Sequence, residues 1–320
     1  MTLPAAVTLP AVVTLPAAVP LLAIVGPTAS GKSTLAVAVA EQRAGEIVGT
    51  DSMQVYRGMT IGTAAPTAED RSRVPHHMVE VWDPDHLVTV AEFQAHAREA
   101  IDDIHERGRL PVVVGGSGLY VSAVLDDLRF PGTDPAIRAD LEAELAELGS
   151  DAMHRRLADV DPAAAQEILP SNGRRIVRAL EVIAMTGQPF AARLPAPVEV
   201  YPSIRVGLDI ERSRLDERIA ERVERMWEEG FVDEVRRLAS RGLSETPTAS
   251  RALGYQQVLA CLAGDLTEAQ AREETIAATR KFARRQQRWF RRDERITWLP
   301  YDSSSLLDDV RALLDGSTET

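Results

Sequence analysis

Short apolar runs at residues 21–25, 46–50, 110–114 and 204–208 alternate with helical patterns, an order that predicts a parallel sheet with crossover helices. The first run leads into Gly26, the second into Asp51, and the third into Gly115-Gly116-Ser117-Gly118. Three loops are therefore expected at one carboxyl edge of the sheet, where open α/β folds bind ligands. Between Asp126 and Pro202 the pattern changes: strands disappear, and helices are expected over 136–148, 151–158 and 173–186. We read 129–198 as a helical insertion into an α/β core made of 21–128 and 199–320, with Pro189, Pro195, Pro197 and Pro202 marking its exit. Beyond it, Leu215, Ile219, Val223, Met226, Val235 and Leu238 recur at three- and four-residue spacing, predicting one amphipathic helix over 214–238 that Gly242 stops.

The first twenty residues are a threefold repeat of six, Thr2-Leu3-Pro4-Ala5-Ala6-Val7 and its two near copies. Recurrent proline opposes a helix, no basic segment precedes the apolar residues, and no stretch is long enough to span a bilayer. A disordered tail or a mis-assigned start is expected, not a signal peptide or an anchor.

The sharpest chemical signal is Gly26-Pro27-Thr28-Ala29-Ser30-Gly31-Lys32-Ser33, a complete G-x-x-x-x-G-K-[ST] phosphate loop between the first strand and an Ala-rich helix at 34–40. Its backbone N–H groups ring a phosphate, and Lys32 and the helix N-terminus add positive charge. Ser33, at the hydroxyl position of the motif, is expected to ligate Mg²⁺ beside phosphate oxygens. The loop alone leaves a small-molecule kinase, or an RNA-binding protein with a nucleotide-sensing switch, as alternatives. No guanine-reading Asn-Lys-x-Asp follows, and no adenine-lid arginine pattern is evident.

Charge refines the picture. The chain of 320 residues carries a net charge of −12, which on its face disfavours a nucleic-acid partner. Its distribution reverses that: residues 134–170 hold nine acidic and three basic side chains, whereas 280–295 hold eight basic and two acidic. Lys281, Arg284, Arg285, Arg288, Arg291, Arg292 and Arg295 recur every three or four residues, as on one helix face, a footprint for phosphates. Arg138, Arg174, Arg175 and Arg178 form a second basic group on the insertion. The single cysteine, Cys261, excludes an internal disulfide framework and a cysteine-rich zinc module. His76-His77 shows no ligand spacing with the other histidines, and structural roles are expected for both.

Taken together, the phosphate loop, Asp51-Ser52-Met53-Gln54-Val55-Tyr56-Arg57-Gly58-Met59, Val74-Pro75-His76-His77 and Gly115–Tyr120 resemble, in order and spacing, the bacterial tRNA dimethylallyltransferases, also called tRNA isopentenyltransferases. Arg174–Glu181, Thr186-Gly187-Gln188-Pro189, Arg251–Tyr255 and Thr279–Gln286 extend the likeness, which runs from about residue 21 to 300. The resemblance implies a P-loop NTPase-like fold and transfer of a dimethylallyl group from dimethylallyl diphosphate to N6 of adenosine 37 in tRNA. It further implies Asp51 as the base, Thr28, Lys32 and Arg251 on the departing diphosphate, and Mg²⁺ at Ser33. Asp51, Ser52, Met53, Gln54 and Ser117 would meet the tRNA in the core. Arg138, Arg174, Arg175, Ile176, Val177 and Arg178 would meet it from the insertion, and Lys281, Arg284, Arg285 and Arg288 from the basic helix, the two sides gripping the anticodon stem-loop. A cytoplasmic monomer is expected. Ala65 departs from the family, which commonly has lysine there, and puts one local contact in doubt.

Overall fold

The computed structural model describes residues 21–190 and 196–316; the amino-terminal repeat lies outside them. Six strands, β1 (Leu21–Val25), β2 (Glu46–Gly49), β3 (His76–His77), β4 (Pro111–Gly115), β5 (Ser203–Asp209) and β6 (Ile296–Pro300), form one sheet in the order β3-β2-β4-β1-β5-β6. Every pairing is parallel. The helices are α1 (Lys32–Gln42), α2 (Ala68–Arg73), α3 (Val90–Glu106), α4 (Gly118–Leu125), α5 (Pro135–Leu148), α6 (Ser150–Val160), α7 (Pro162–Glu167), α8 (Gly173–Thr186), α9 (Arg212–Glu228), α10 (Phe231–Ala239), α11 (Tyr255–Ala263), α12 (Glu268–Phe290) and α13 (Leu306–Gly316). No helix among the described residues is long and apolar enough to cross a membrane.

The four expected strands form, and two more appear at the sheet edges. β3 is only two residues long, and β6 carries a half-exposed Ile-Thr-Trp-Leu-Pro run, so neither has the buried apolar signature that marks a central strand. β1 does: Leu21, Ala23 and Val25 join the core on one face of the sheet, with α3, α4 and α9 to α12. Leu22 and Ile24 join the core on the other face, with α1 and α13. Alternation across the pleat thus feeds two cores from one five-residue segment.

The helix expected over 214–238 is two helices. Gly230 stands between α9 and α10 at φ 92°, a left-handed conformation that glycine adopts without steric cost, and the chain turns there. The turn is what lets α10 fold back against the loop that follows Asp51. The helices α5 to α8 pack around a core of their own, containing Leu141, Met153, Leu157, Ile176, Val177 and Leu180.

The outgoing and returning chains of this helical unit meet at a neck. Asp126 pairs antiparallel with Glu199, the Asp127 N–H donates to the Val198 carbonyl (2.7 Å), and the Val200 N–H donates to that of Leu125 (2.9 Å). Buried Asp126 accepts from Arg205 (3.1 Å) and Arg295 (2.8 Å), while Arg205 also reaches Glu199 (3.0 Å) and Asp293 (2.9 Å). Such a network compensates buried charges that would be costly alone. It ties the neck to β5 and to the residues after α12.

Candidate functional site

The phosphate loop takes its shape from three residues in unusual backbone conformations: Gly26 at φ 145°, Ala29 at φ 64° and Gly31 at φ 99°, the last capping α1. A left-handed alanine costs of order 1 kcal/mol and persists only when its surroundings hold it. Here Arg218 of α9 does so, donating from Nε to the Ala29 carbonyl (2.7 Å) while its guanidinium lies over the Tyr301 ring (5.5 Å). Lys32 Nζ folds back onto the Pro27 carbonyl (2.7 Å). Ser30 is 1% exposed, and its hydroxyl has no hydrogen-bond partner. That hydroxyl is packed against the loop's own backbone, 3.4 Å from where a Cβ on Gly26 would stand. Ser33 is exposed in the first turn of α1.

A second arginine of α9 completes the cluster. Arg222 donates from one terminal nitrogen to Thr28 Oγ1 (2.7 Å) and from the other to the Thr63 carbonyl (3.2 Å). Because Arg222 makes Thr28 Oγ1 an acceptor, the threonine's own proton is left for another partner. Burial pushes Lys32 down to about 7, with the Arg222 charge acting in the same direction and Asp51 opposing. Burial also lowers Arg222, again against the field of Asp51. Two cations and one carboxylate thus share a small volume at the mouth of the loop.

Asp51 leaves the end of β2, and its Oδ1 accepts from the Met53 N–H (2.8 Å) and the Gln54 N–H (3.4 Å). That turn holds the carboxylate at the sheet edge. Tyr120 of α4 lies close by; burial, followed by the charges of Tyr56 and Asp51, pushes its phenol up to about 12, so it stays a hydrogen-bond donor. Gln54 is already engaged, its Nε2 donating to the carbonyls of Thr63 and Ala64 (3.1 Å each). Only its oxygen is left for a base.

The segment after Asp51 is anchored by a carboxylate that the sequence does not reveal as special. Glu234 of α10 is 2% exposed and accepts from the N–H groups of Thr60 (3.1 Å), Ile61 (2.8 Å) and Gly62 (3.2 Å), from the Thr60 hydroxyl (2.7 Å) and from the Tyr255 hydroxyl (2.6 Å). Burial and the neighbouring Glu234 hold the Tyr255 phenol far above its usual range. By fixing residues 60–62, Glu234 places the Thr63 carbonyl that both Arg222 and Gln54 use.

The third loop arrives from β4. A Cβ on Gly116 would stand 2.3 Å from Nε2 of Gln286, so glycine is what lets α12 seat against this loop. Ser117 caps α4 without a side-chain hydrogen bond, leaving its hydroxyl free for the expected tRNA contact.

The other expected site residues lie as follows. Arg251 ends a 3-10 turn (Ala249–Arg251), is exposed, and among the described residues makes no hydrogen bond or ion pair with the loop; the guanidiniums on the loop are Arg218 and Arg222. Ile176 and Val177 are 0% and 1% exposed, and their side chains belong to the core of the helical unit. Arg138 (2.5 Å) and Arg178 (2.7 Å) both close on buried Glu181, so they neutralise that carboxylate before any phosphate. Arg174 and Arg175 are exposed at the start of α8.

The basic stripe is shorter than its spacing implies. Lys281, Arg285 and Arg288 are exposed on α12 and Arg284 is half-buried, but the helix ends at Phe290. Arg291 pairs with Asp209 and stacks on Trp298 (3.9 Å), and Arg295 is consumed by the neck. His77 binds Glu46 (2.7 Å) and His76 the Val74 carbonyl (2.8 Å), so both are engaged structurally. Between core and helical unit opens a cleft of about 2150 Å³, lined among others by Val25, Arg129, Arg174, Arg175, Trp289 and Arg292.

The chain resembles known proteins in sequence and in fold. Residues 54–293 match the family described as IPP transferase, and residues 19–75 match one described as isopentenyl transferase. The chain is 59% identical to the tRNA dimethylallyltransferase of Thermobifida fusca, over 92% of this chain and 93% of that one. It is 60% identical to the tRNA dimethylallyltransferase of Streptomyces coelicolor, over 87% and 89%. Among solved structures it resembles the tRNA isopentenylpyrophosphate transferase of Bacillus halodurans, with a TM-score of 0.69, 39% identity and coverage of 94% and 98%. It also resembles a eukaryotic dimethylallyltransferase acting on tRNA, with a TM-score of 0.75, 25% identity and coverage of 92% and 77%.

Proposed function

From the premise that this chain belongs to the IPP transferase family, we propose that it is a tRNA dimethylallyltransferase, and that the residues around Thr28 and Asp51 carry the reaction as follows. The substrates are tRNA and dimethylallyl diphosphate. N6 of adenosine 37 attacks C1 of the allylic diphosphate; the new C–N bond forms as the C–O bond breaks, pyrophosphate departs, and Asp51 takes the N6 proton. The amine's lone pair is delocalised into the ring, so it needs a base as the bond forms, and a carboxylate acts best on a proton whose acidity rises in the transition state. The flipped adenosine reaches Asp51 by leaving the stack of the anticodon loop.

The leaving group gains negative charge, and preorganised donors stabilise it where it develops. Those donors are the loop N–H groups other than that of Thr28, the Thr28 hydroxyl proton, Lys32 and Arg222. Ser33, exposed beside Lys32 and without a hydrogen bond among the described residues, would hold a divalent ion next to the diphosphate. Mg²⁺ suits such an oxygen-rich site and supplies charge neutralisation when bound. On the acceptor side, we place the anticodon stem-loop against the α12 cations Lys281, Arg284, Arg285 and Arg288 and against Arg174 and Arg175, which line the cleft together with Trp289 and Arg292.

The observation that carries this reading is one carboxylate, Asp51, set against Arg222 at Thr28 and Lys32 on the Pro27 carbonyl, at the mouth of the phosphate loop. A kinase would place its acceptor at a terminal phosphoryl group; here a cleft of about 2150 Å³ opens beyond Val25, at the end of β1, and is lined by Arg129, Arg174, Arg175 and Arg292. The test is mass spectrometry of unmodified tRNA incubated with the protein, dimethylallyl diphosphate and Mg²⁺. One adenosine gains five carbons, and Asp51→Ala slows that gain by ~10²-fold or more. ATP turnover without any gain would establish the kinase instead.

A further inference from the structure

Gln286 is an anomaly on α12. It sits on the buried face with Ala283 and Phe290, yet carries an amide and is only 5% exposed. A buried amide is costly unless bonded. Its Oε1 accepts the Thr28 N–H at 2.9 Å, and its Nε2 lies where a Cβ on Gly116 would collide, so the side chain is wedged between the phosphate loop and the third loop.

We infer that Gln286 is a positioning residue for the departure of pyrophosphate, acting through Thr28; the inference deepens the transferase reading above and rests on it. In a phosphate loop the N–H groups converge on the anion, but the one at Thr28 is turned to an internal acceptor. Gln286 therefore sets the orientation of that peptide and with it the hydroxyl whose oxygen Arg222 grips from the other side. Thr28 is held at both ends, by α12 and by α9. The helix that supplies this grip also exposes Lys281, Arg285 and Arg288, so one rigid rod spans the donor loop and the basic surface.

The test is a double-mutant cycle of Gln286→Met, which keeps volume and removes the acceptor, with Thr28→Val, which keeps the peptide N–H and removes the hydroxyl. It is read both on pyrophosphate binding and on kcat. Gln286→Met is expected to lower kcat by ~10²-fold, the scale of a small misplacement of a catalytic group, with KM for tRNA little changed. Because both act at one point, adding Thr28→Val to Gln286→Met costs far less than Thr28→Val alone. Effects that multiply fully, or a rise in the KM for tRNA as the main change, overturn the inference. Gln286→Asn, too short to reach Thr28, serves in place of the methionine variant if that one does not fold. The binding half needs no tRNA: coupled pyrophosphate binding in a protein that never prenylates tRNA would overturn the transferase reading and leave the role of Gln286 at Thr28 standing.

Discussion

At the scale of single residues, Lys32, Arg222 and Asp51 lie within one another's fields at the phosphate loop. Lys32, held to about 7 by burial and Arg222, is largely neutral at pH 8 until an anion arrives. Bound diphosphate favours the ammonium and raises its pKa, so binding above pH 7 takes up a proton. Pyrophosphate affinity is therefore expected to fall as pH rises from 7 to 9, by up to ~10-fold per unit from this group. Calorimetry in buffers of different ionisation enthalpy measures the uptake. Lys32→Arg, which cannot titrate in this range, should remove this component and leave only the ligand's own titration. Persistence of the uptake in that variant would assign it elsewhere. Arg222 and Arg218 escaped the sequence reading because, among the many arginines of a charged helix, nothing in the spacing singles out the two that turn toward a loop 194 and 189 residues away.

At the scale of elements, carboxylates bind secondary structure together at both ends of β2. Glu234 nails the segment after Asp51 to α10 and α11. At the opposite end, Glu46 (2% exposed) ties β2 to β3 through His77 and to the end of α3 through Arg107 and Arg109 (3.0 Å). Arg107 first, then His77, holds the Glu46 carboxyl down to about 2. A depressed carboxyl stabilises the fold at pH values above its unfolded pKa, and that contribution is lost as pH falls from about 4.5 toward about 2. Glu46→Gln should accordingly cost roughly 2–3 kcal/mol at pH 7 and flatten the acid limb of stability in that window. Denaturant midpoints at pH 7, 4 and 2.5 decide it; an unchanged acid limb would show that Glu46 does not control it. The break at Gly230, which the apolar spacing across 214–238 concealed, belongs to this scale as well. Periodicity reports which side of a helix is buried, not whether the axis turns between two stretches that both obey it.

At the scale of the whole molecule, tRNA is expected to meet two walls that are unequally armed. α12 keeps exposed cations, while the helical unit has spent Arg138 and Arg178 on Glu181. Binding should therefore weaken steeply with salt. Lys281→Ala with Arg285→Ala should reduce the slope of log K against log salt by about 2, and Arg178→Ala by much less than 1, its larger effect falling on stability. Filter binding or fluorescence anisotropy across a salt series reads both. A slope untouched by the α12 pair would move the interface off that helix.

What the sequence determined by itself is whatever is written locally. A five-residue apolar run followed by a glycine-rich loop and a helix specifies the phosphate site, alternation with helical stretches specifies a parallel sheet, and Asp51 at a strand end specifies where a carboxylate stands. Each rests on contacts within a few residues of chain. The tertiary structure alone decided which of the many arginines reach the phosphate loop, that Glu234 and Gln286 are buried against the loops beside it, that Arg291 and Arg295 pair with carboxylates of the fold, and that two short edge strands complete the sheet. Those assignments depend on pairings such as that of Thr28 with Gln286, 258 residues apart. Their energies arise only when folding brings both partners out of water, and no local pattern encodes them.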